Sequence, residues 1–142
     1  MLFSWTTKPS SDGPQETMTH IEMIVTGIRT NNGKIQIGAF IDNDSFRNEE
    51  STYAFHFDKD NIDEGTLKVN FDLPAGTYGF SLMDDENDNN KMDYNFFGIP
   101  KEGFGFGDYY HSGYTKPDID KFNMELKAGE SKVVTAKMRY VI

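Results

Sequence analysis

Apolar and polar side chains alternate along most of this chain, and a period of two predicts strands. Ile21, Met23 and Val25 recur on one side of a strand over residues 20–29. Ile35, Ile37, Ala39 and Ile41 do the same over 34–42, and Tyr53, Phe55 and Phe57 alternate with Ala54 and His56 over 52–58. The clearest case is 66–73, where Leu67, Val69, Phe71 and Leu73 interleave with Lys68, Asn70 and Asp72. Tyr78, Phe80 and Leu82 mark a fifth strand at 77–83, Phe122, Met124 and Leu126 a sixth at 121–127, and Val134, Ala136, Met138 and Tyr140 a last one at 131–141.

Turn residues punctuate these runs. Thr30-Asn31-Asn32-Gly33 reads as a hairpin turn, and Pro74-Ala75-Gly76 as a tight one. Residues 42–51 read as a polar loop with one apolar point, Phe46. No amphipathic helical window exceeds a turn or two. About seven strands with mostly short joins predict an all-β fold, a seven-stranded antiparallel β-sandwich. The expected organisation is a flexible N-terminal segment at 1–19 and one β-sandwich domain at 20–142, carrying a long loop at 84–116. A connection that long is functional or ligand-ordered more often than idle.

Charge sharpens the picture. The chain has 142 residues, a net charge of −9 and no cysteine. Nucleic acid is a poor partner, because phosphate binding needs Lys/Arg patches. Disulfides and thiol chemistry are excluded. No apolar run is long enough to cross a bilayer, and residues 1–19 hold no apolar stretch of signal-peptide type. Cations are favoured partners.

The chemistry concentrates between Asp84 and Gly107. Asp85, Asn87, Asn89 and Asp93 occupy the first, third, fifth and ninth positions of a calcium-loop pattern, with Lys91 at the seventh, where a backbone carbonyl usually serves. Asn90 stands at the sixth position in place of Gly, and Asn tolerates positive φ better than other side chains. The twelfth position, normally a bidentate Glu, is Phe96. A second carboxylate must come from Glu102, Asp84, Asp88 or Asp108, and Glu102 is preferred. Calcium is therefore the expected cofactor, held by Asp85, Asn87, Asn89, Lys91, Asp93 and Glu102; a solvated acidic loop is the competing reading. Without Cys or a paired His, zinc and copper are poor fits.

Asp85-Glu86-Asn87 through Lys91-Met92-Asp93, then Phe97-Gly98-Ile99-Pro100-Lys101-Glu102-Gly103-Phe104-Gly105-Phe106, resembles the hallmark of a bacterial family known as domain of unknown function 2141. Asp72-Leu73-Pro74-Ala75-Gly76-Thr77-Tyr78 and Asn32-Gly33-Lys34-Ile35 are similar to two of its turns. Asp84 stands where that family usually has His, Asp88 and Asn90 replace its loop glycines, and 112–122 is only loosely similar. The resemblance implies an exported protein, periplasmic or secreted, with an immunoglobulin-like or transthyretin-like sandwich. It implies no enzyme activity.

The residues themselves give no catalytic constellation: His20, His56 and His111 are scattered, and no nucleophile-elbow motif occurs. The loop aromatics have two readings. Phe96, Phe97 and Ile99 could cap an open end of the sandwich as a small core. Tyr109, Tyr110 and Tyr114 could form a stacking platform for a glycan or protein partner. The resulting expectation is a binding or structural module, monomeric or weakly dimeric, with calcium-assisted carbohydrate binding or processing as the alternative.

Overall fold

The computed structural model describes residues 17–92, 100–113 and 115–141. Among the described residues, eight strands form two sheets: β1 (Met18–Thr26), β2 (Lys34–Phe40), β3 (Tyr53–Asp58), β4 (Leu67–Pro74), β5 (Gly76–Asp85), β6 (Gly103–Phe106), β7 (Asn123–Leu126) and β8 (Ser131–Lys137). One sheet has the order β4-β1-β8. The other runs β3-β2-β5-β6, and β7 also pairs with β5. The all-β sandwich is thus as the periodicity predicts.

Its topology differs in three ways. First, the pairing is not wholly antiparallel: β1 and β8 run parallel, from His20 opposite Ser131 to Thr26 opposite Lys137. Local alternation carries no information about the direction of a partner so distant in sequence. Second, Thr30–Gly33 does not close a hairpin, because β1 and β2 belong to different sheets. The turn carries the chain across the sandwich. Gly33 lies at φ 75°, and a Cβ there would run into the Asp85 carbonyl oxygen, so the backbones meet too closely for any side chain. Third, β6 lies inside the stretch expected to be loop. It pairs with the second half of β5, Ser81 to Asp84, while β7 pairs with the first half, Gly76 to Gly79.

Element ends also shift. β2 stops at Phe40, leaving Ile41 more than half exposed rather than on the inward face. The expected polar loop at 42–51 contains a short helix, α1 (Asn43–Arg47), capped by the Asp42 carboxylate, which accepts the Ser45 N–H at 2.8 Å. A 3-10 turn (Ile119–Lys121) precedes β7, and β8 ends at Lys137.

The main core lies between the sheets. Ile21, Met23, Val25, Leu67, Val69, Phe71, Leu73, Val134 and Ala136 come from one sheet; Ile35, Ile37, Ala39, Tyr78, Phe80 and Leu82 come from the other. A second, smaller core covers the outer face of the five-stranded sheet: Phe40, Phe46, Phe106, Ile119 and Phe122, with Phe104 and Tyr109 against them. Phe46 of α1 meets Phe40, Phe106 and Phe122 edge-on at centroid distances of 5.2–5.9 Å.

Candidate functional site

The acidic loop grows directly out of β5. Strand residues alternate faces, so Tyr78, Phe80, Leu82 and Asp84 point between the sheets while Ser81, Met83 and Asp85 point outward. Both acids are fully buried, with 0% exposure.

Asp85 anchors the loop. Its Oδ1 accepts the Asn89 N–H at 3.0 Å, and its Oδ2 accepts the Asn90 N–H at 2.8 Å and the Gln36 side-chain N–H at 3.0 Å. The next two positions repeat the device: Asn87 Oδ1 accepts the Asn89 N–H at 3.3 Å, and Asn89 Oδ1 accepts the Lys91 N–H at 3.1 Å. Short side-chain amides and carboxylates that bond the backbone two residues on build tight turns of this kind. Asp88 and Asn90 take positive φ, 59° and 67°.

The possible second carboxylates separate. Asp84 turns inward: Lys59 Nζ lies 2.6 Å from its Oδ1, and the Tyr140 hydroxyl donates to its Oδ2 at 2.5 Å. Burial pushes the Asp84 carboxyl up from its ordinary value, against the opposing pull of Lys59 and Tyr140. Burial, reinforced by Asp84, pushes the Tyr140 phenol strongly up as well. Asp88 is exposed and pairs with Lys34 at 2.9 Å. Asp108 accepts the Thr135 N–H at 2.9 Å, on β8. These three acids are therefore committed elsewhere. Glu102 is buried and immediately precedes Gly103, which the β5–β6 register pairs with Asp84. Asp93 lies outside the described residues. Among those described, no group of three or more His, Asp or Glu residues is close enough to hold a metal ion. The candidate donors, the Asp85 and Glu102 carboxylates and the Asn87 and Asn89 amide oxygens, are hard oxygen ligands of the type calcium takes.

A further network flanks the loop. Arg29 grips Glu86 through two N–H donors, at 2.8 and 3.0 Å, and Thr30 donates to the same carboxylate at 2.9 Å. Arg29, its main cause, holds the Glu86 carboxyl below its ordinary value. The Arg29 guanidinium also lies over the Tyr140 ring, 4.3 Å from its centroid.

The tyrosines do not share one environment. Tyr109 lies parallel to Phe122 at 6.3 Å in the second core. Tyr110 is half exposed, with Lys137 Nζ 5.4 Å from its ring centroid. Tyr114 lies outside the described residues, as do Tyr94, Phe96, Phe97 and Ile99. The three histidines stay scattered: His20 on β1, His56 on edge strand β3, and His111 donating to the Thr115 carbonyl at 2.6 Å.

Periodicity does not foretell one feature. A cleft of about 470 Å³ opens on the outer face of the five-stranded sheet. Gln36, Ser81, Phe104, His111 and Lys116 line it, together with Asn90, Lys91 and Met92 of the acidic loop. Clefts of this size, mostly apolar with a few polar groups, are where small ligands bind.

The acidic loop and the Gly/Phe strand both lie within the span matched by a known protein family. The family described as "Uncharacterized protein conserved in bacteria (DUF2141)" matches residues 23–134, from within β1 to the middle of β8. No curated protein and no solved structure matches the chain. No helix among the described residues is long and apolar enough to cross a membrane. With well over half its length matched, the chain belongs to this bacterial DUF2141 family.

Proposed function

We propose that this protein is an exported β-sandwich binding or structural module, without catalytic activity, whose Asp85–Asp93 loop takes up calcium. The observation that carries the reading is the placement of Asp85 and Glu102. Both are buried; Asp85 follows and Glu102 precedes the paired residues Asp84 and Gly103 of β5 and β6. Two carboxylates so placed repel unless a cation or donors neutralise them. Asp85 meanwhile receives the backbone N–H groups of the fifth and sixth loop positions, which turns the Asn87 and Asn89 segment around it. Calcium would supply charge neutralisation there. Asp85 and the asparagines would orient the loop, and Glu102 would tie it to β6. The family resemblance is what supports export.

The binding part of the reading rests on the cleft, because Asn90, Lys91 and Met92 form part of its wall. Ordering the loop would then shape the cleft. The alternative reading, a glycan platform, has Tyr110 as its exposed ring among the described residues named for it. Calcium titration of the wild type and of Glu102→Gln tests the first reading. Binding that weakens at least tenfold in the variant supports it, and equal affinity refutes the assigned ligand set. A glycan-array signal lost in Tyr110→Ala would favour the alternative.

A further inference from the structure

Lys59 and Asp84 form an ion pair with no solvent exposure on either side chain. Lys59 directly follows β3, and Asp84 sits near the end of β5, with β2 between them. Across β2, Ile35 pairs with Asp84 on one side and on the other with Phe57, two residues before Lys59. The Lys59 side chain thus reaches over β2 to meet the carboxylate. Its Nζ lies 2.6 Å from Oδ1, yet Oδ1 accepts no hydrogen bond of regular geometry. The close approach is made off the hydrogen-bonding directions, unlike that of an ordinary ion pair. Two further groups fix the partners. Nζ donates to the Thr30 carbonyl at 3.0 Å, and the Tyr140 hydroxyl donates to Asp84 Oδ2 at 2.5 Å.

We infer that Lys59 and Asp84 condense into an amide, an intramolecular isopeptide cross-link between the end of edge strand β3 and central strand β5. The reaction needs no oxidant, cofactor or second substrate. Lys59 Nζ passes one proton to Oδ1, leaving a neutral amine beside a neutral carboxylic acid. The amine adds to Cγ and forms the C–N bond. Negative charge collects on Oδ2, where the Tyr140 hydroxyl already donates. A second proton passes from Nζ to Oδ1, the Cγ–Oδ1 bond breaks, and water leaves. The third proton stays as the amide N–H, facing the Thr30 carbonyl. Ammonium plus carboxylate becomes amide plus one water, and charge balances. Two features of the site favour this course. Burial penalises the charged pair and not the amide, and holding both groups in contact makes the addition effectively unimolecular. The cross-link would staple the exposed edge strand to the sheet centre, constraining the chain from 59 to 84. It is independent of calcium uptake, because Asp84 is not among the proposed ligands.

Intact-mass measurement of the denatured wild type, with peptide mapping, tests this. The expected result is a chain one water lighter than its sequence, with a branched peptide joining the Lys59 and Asp84 segments. Lys59→Arg keeps the charge but cannot form the amide, and is expected at its full sequence mass. A wild type of full sequence mass would overturn the inference. So would a water deficit that maps elsewhere or persists in Lys59→Arg. Should that variant fail to fold, the presence or absence of the branched peptide in the wild type decides alone.

Discussion

Asp84 and Asp85 are sequence neighbours, both fully buried, and their carboxylates serve opposite sides of the same strand. Asp84 faces Lys59 and Tyr140 between the sheets, and Asp85 faces Gln36 and the turning loop outside. One strand end therefore carries two separate pieces of chemistry, an inner polar cluster and an outer loop anchor. Substitutions can address each without the other.

For the inner cluster, Tyr140→Phe keeps the ring beneath Arg29 but removes the donor to Asp84 Oδ2. A buried acceptor left without its partner costs about 1–3 kcal/mol. Urea denaturation is expected to show a loss in that range. An unchanged midpoint would mean that the hydroxyl contributes nothing there.

Gly103 faces the same Tyr140 ring, and a Cβ at Gly103 would overlap it. Gly103→Ala forces the ring or β6 to move, and overpacking of this kind costs about 1–3 kcal/mol. The loss is expected in denaturant melts and should shrink when combined with Tyr140→Ala, which vacates the space.

The second core is tested by Phe46→Ala. Phe46 is buried among Phe40, Phe106 and Phe122, and truncating a buried Phe costs about 3–5 kcal/mol. Because α1 also borders the cleft, the variant is expected to lose thermal stability and to reshape that wall together.

His20 supplies a pH dependence. Its two ring nitrogens face Asp72 at 2.7 Å and Asn70 at 3.0 Å, so the doubly protonated ring is favoured. The Asp72 hydrogen bond is the main cause that raises its pKa above the ordinary 6.5. A raised folded pKa stabilises fully below the unfolded value and loses that contribution as pH rises through the folded one. The pair is about half exposed, so the effect is small. Stability is expected to fall slightly from mildly acidic to mildly alkaline pH, and this slope should flatten in Asp72→Asn.

The legible parts of the fold are those with one face on the core and one in water. In β4, Leu67, Val69, Phe71 and Leu73 alternate with exposed Lys68, Asn70 and Asp72, and the structure follows that pattern residue by residue. In β6 the alternation is inverted. Gly103 and Gly105 face inward, where the Tyr140 ring and the Lys137 carbonyl leave no room for a side chain, and Phe104 and Phe106 face the second core. A strand that puts its glycines on the inner side looks like loop. Phe40 and Phe46 are obscured in the same way, because an apolar outer face breaks the rule that outward means polar. The parallel β1–β8 pair joins distant segments and leaves no local trace. At the candidate site, the Asp/Asn spacing shows that the loop turns about Asp85. The inward parity of Asp84 is visible after Tyr78, Phe80 and Leu82, but its partner Lys59 is not, because it enters from a turn.

The central claim is that the Asp85 loop takes up calcium, and titration calorimetry paired with thermal melts tests it most directly. Measured on the wild type and on Asp85→Ala, the expected result is saturable heat and a raised Tm for the wild type, both lost in the variant. No heat and no Tm shift for the wild type at millimolar calcium would contradict the claim and leave the loop as a self-capped turn.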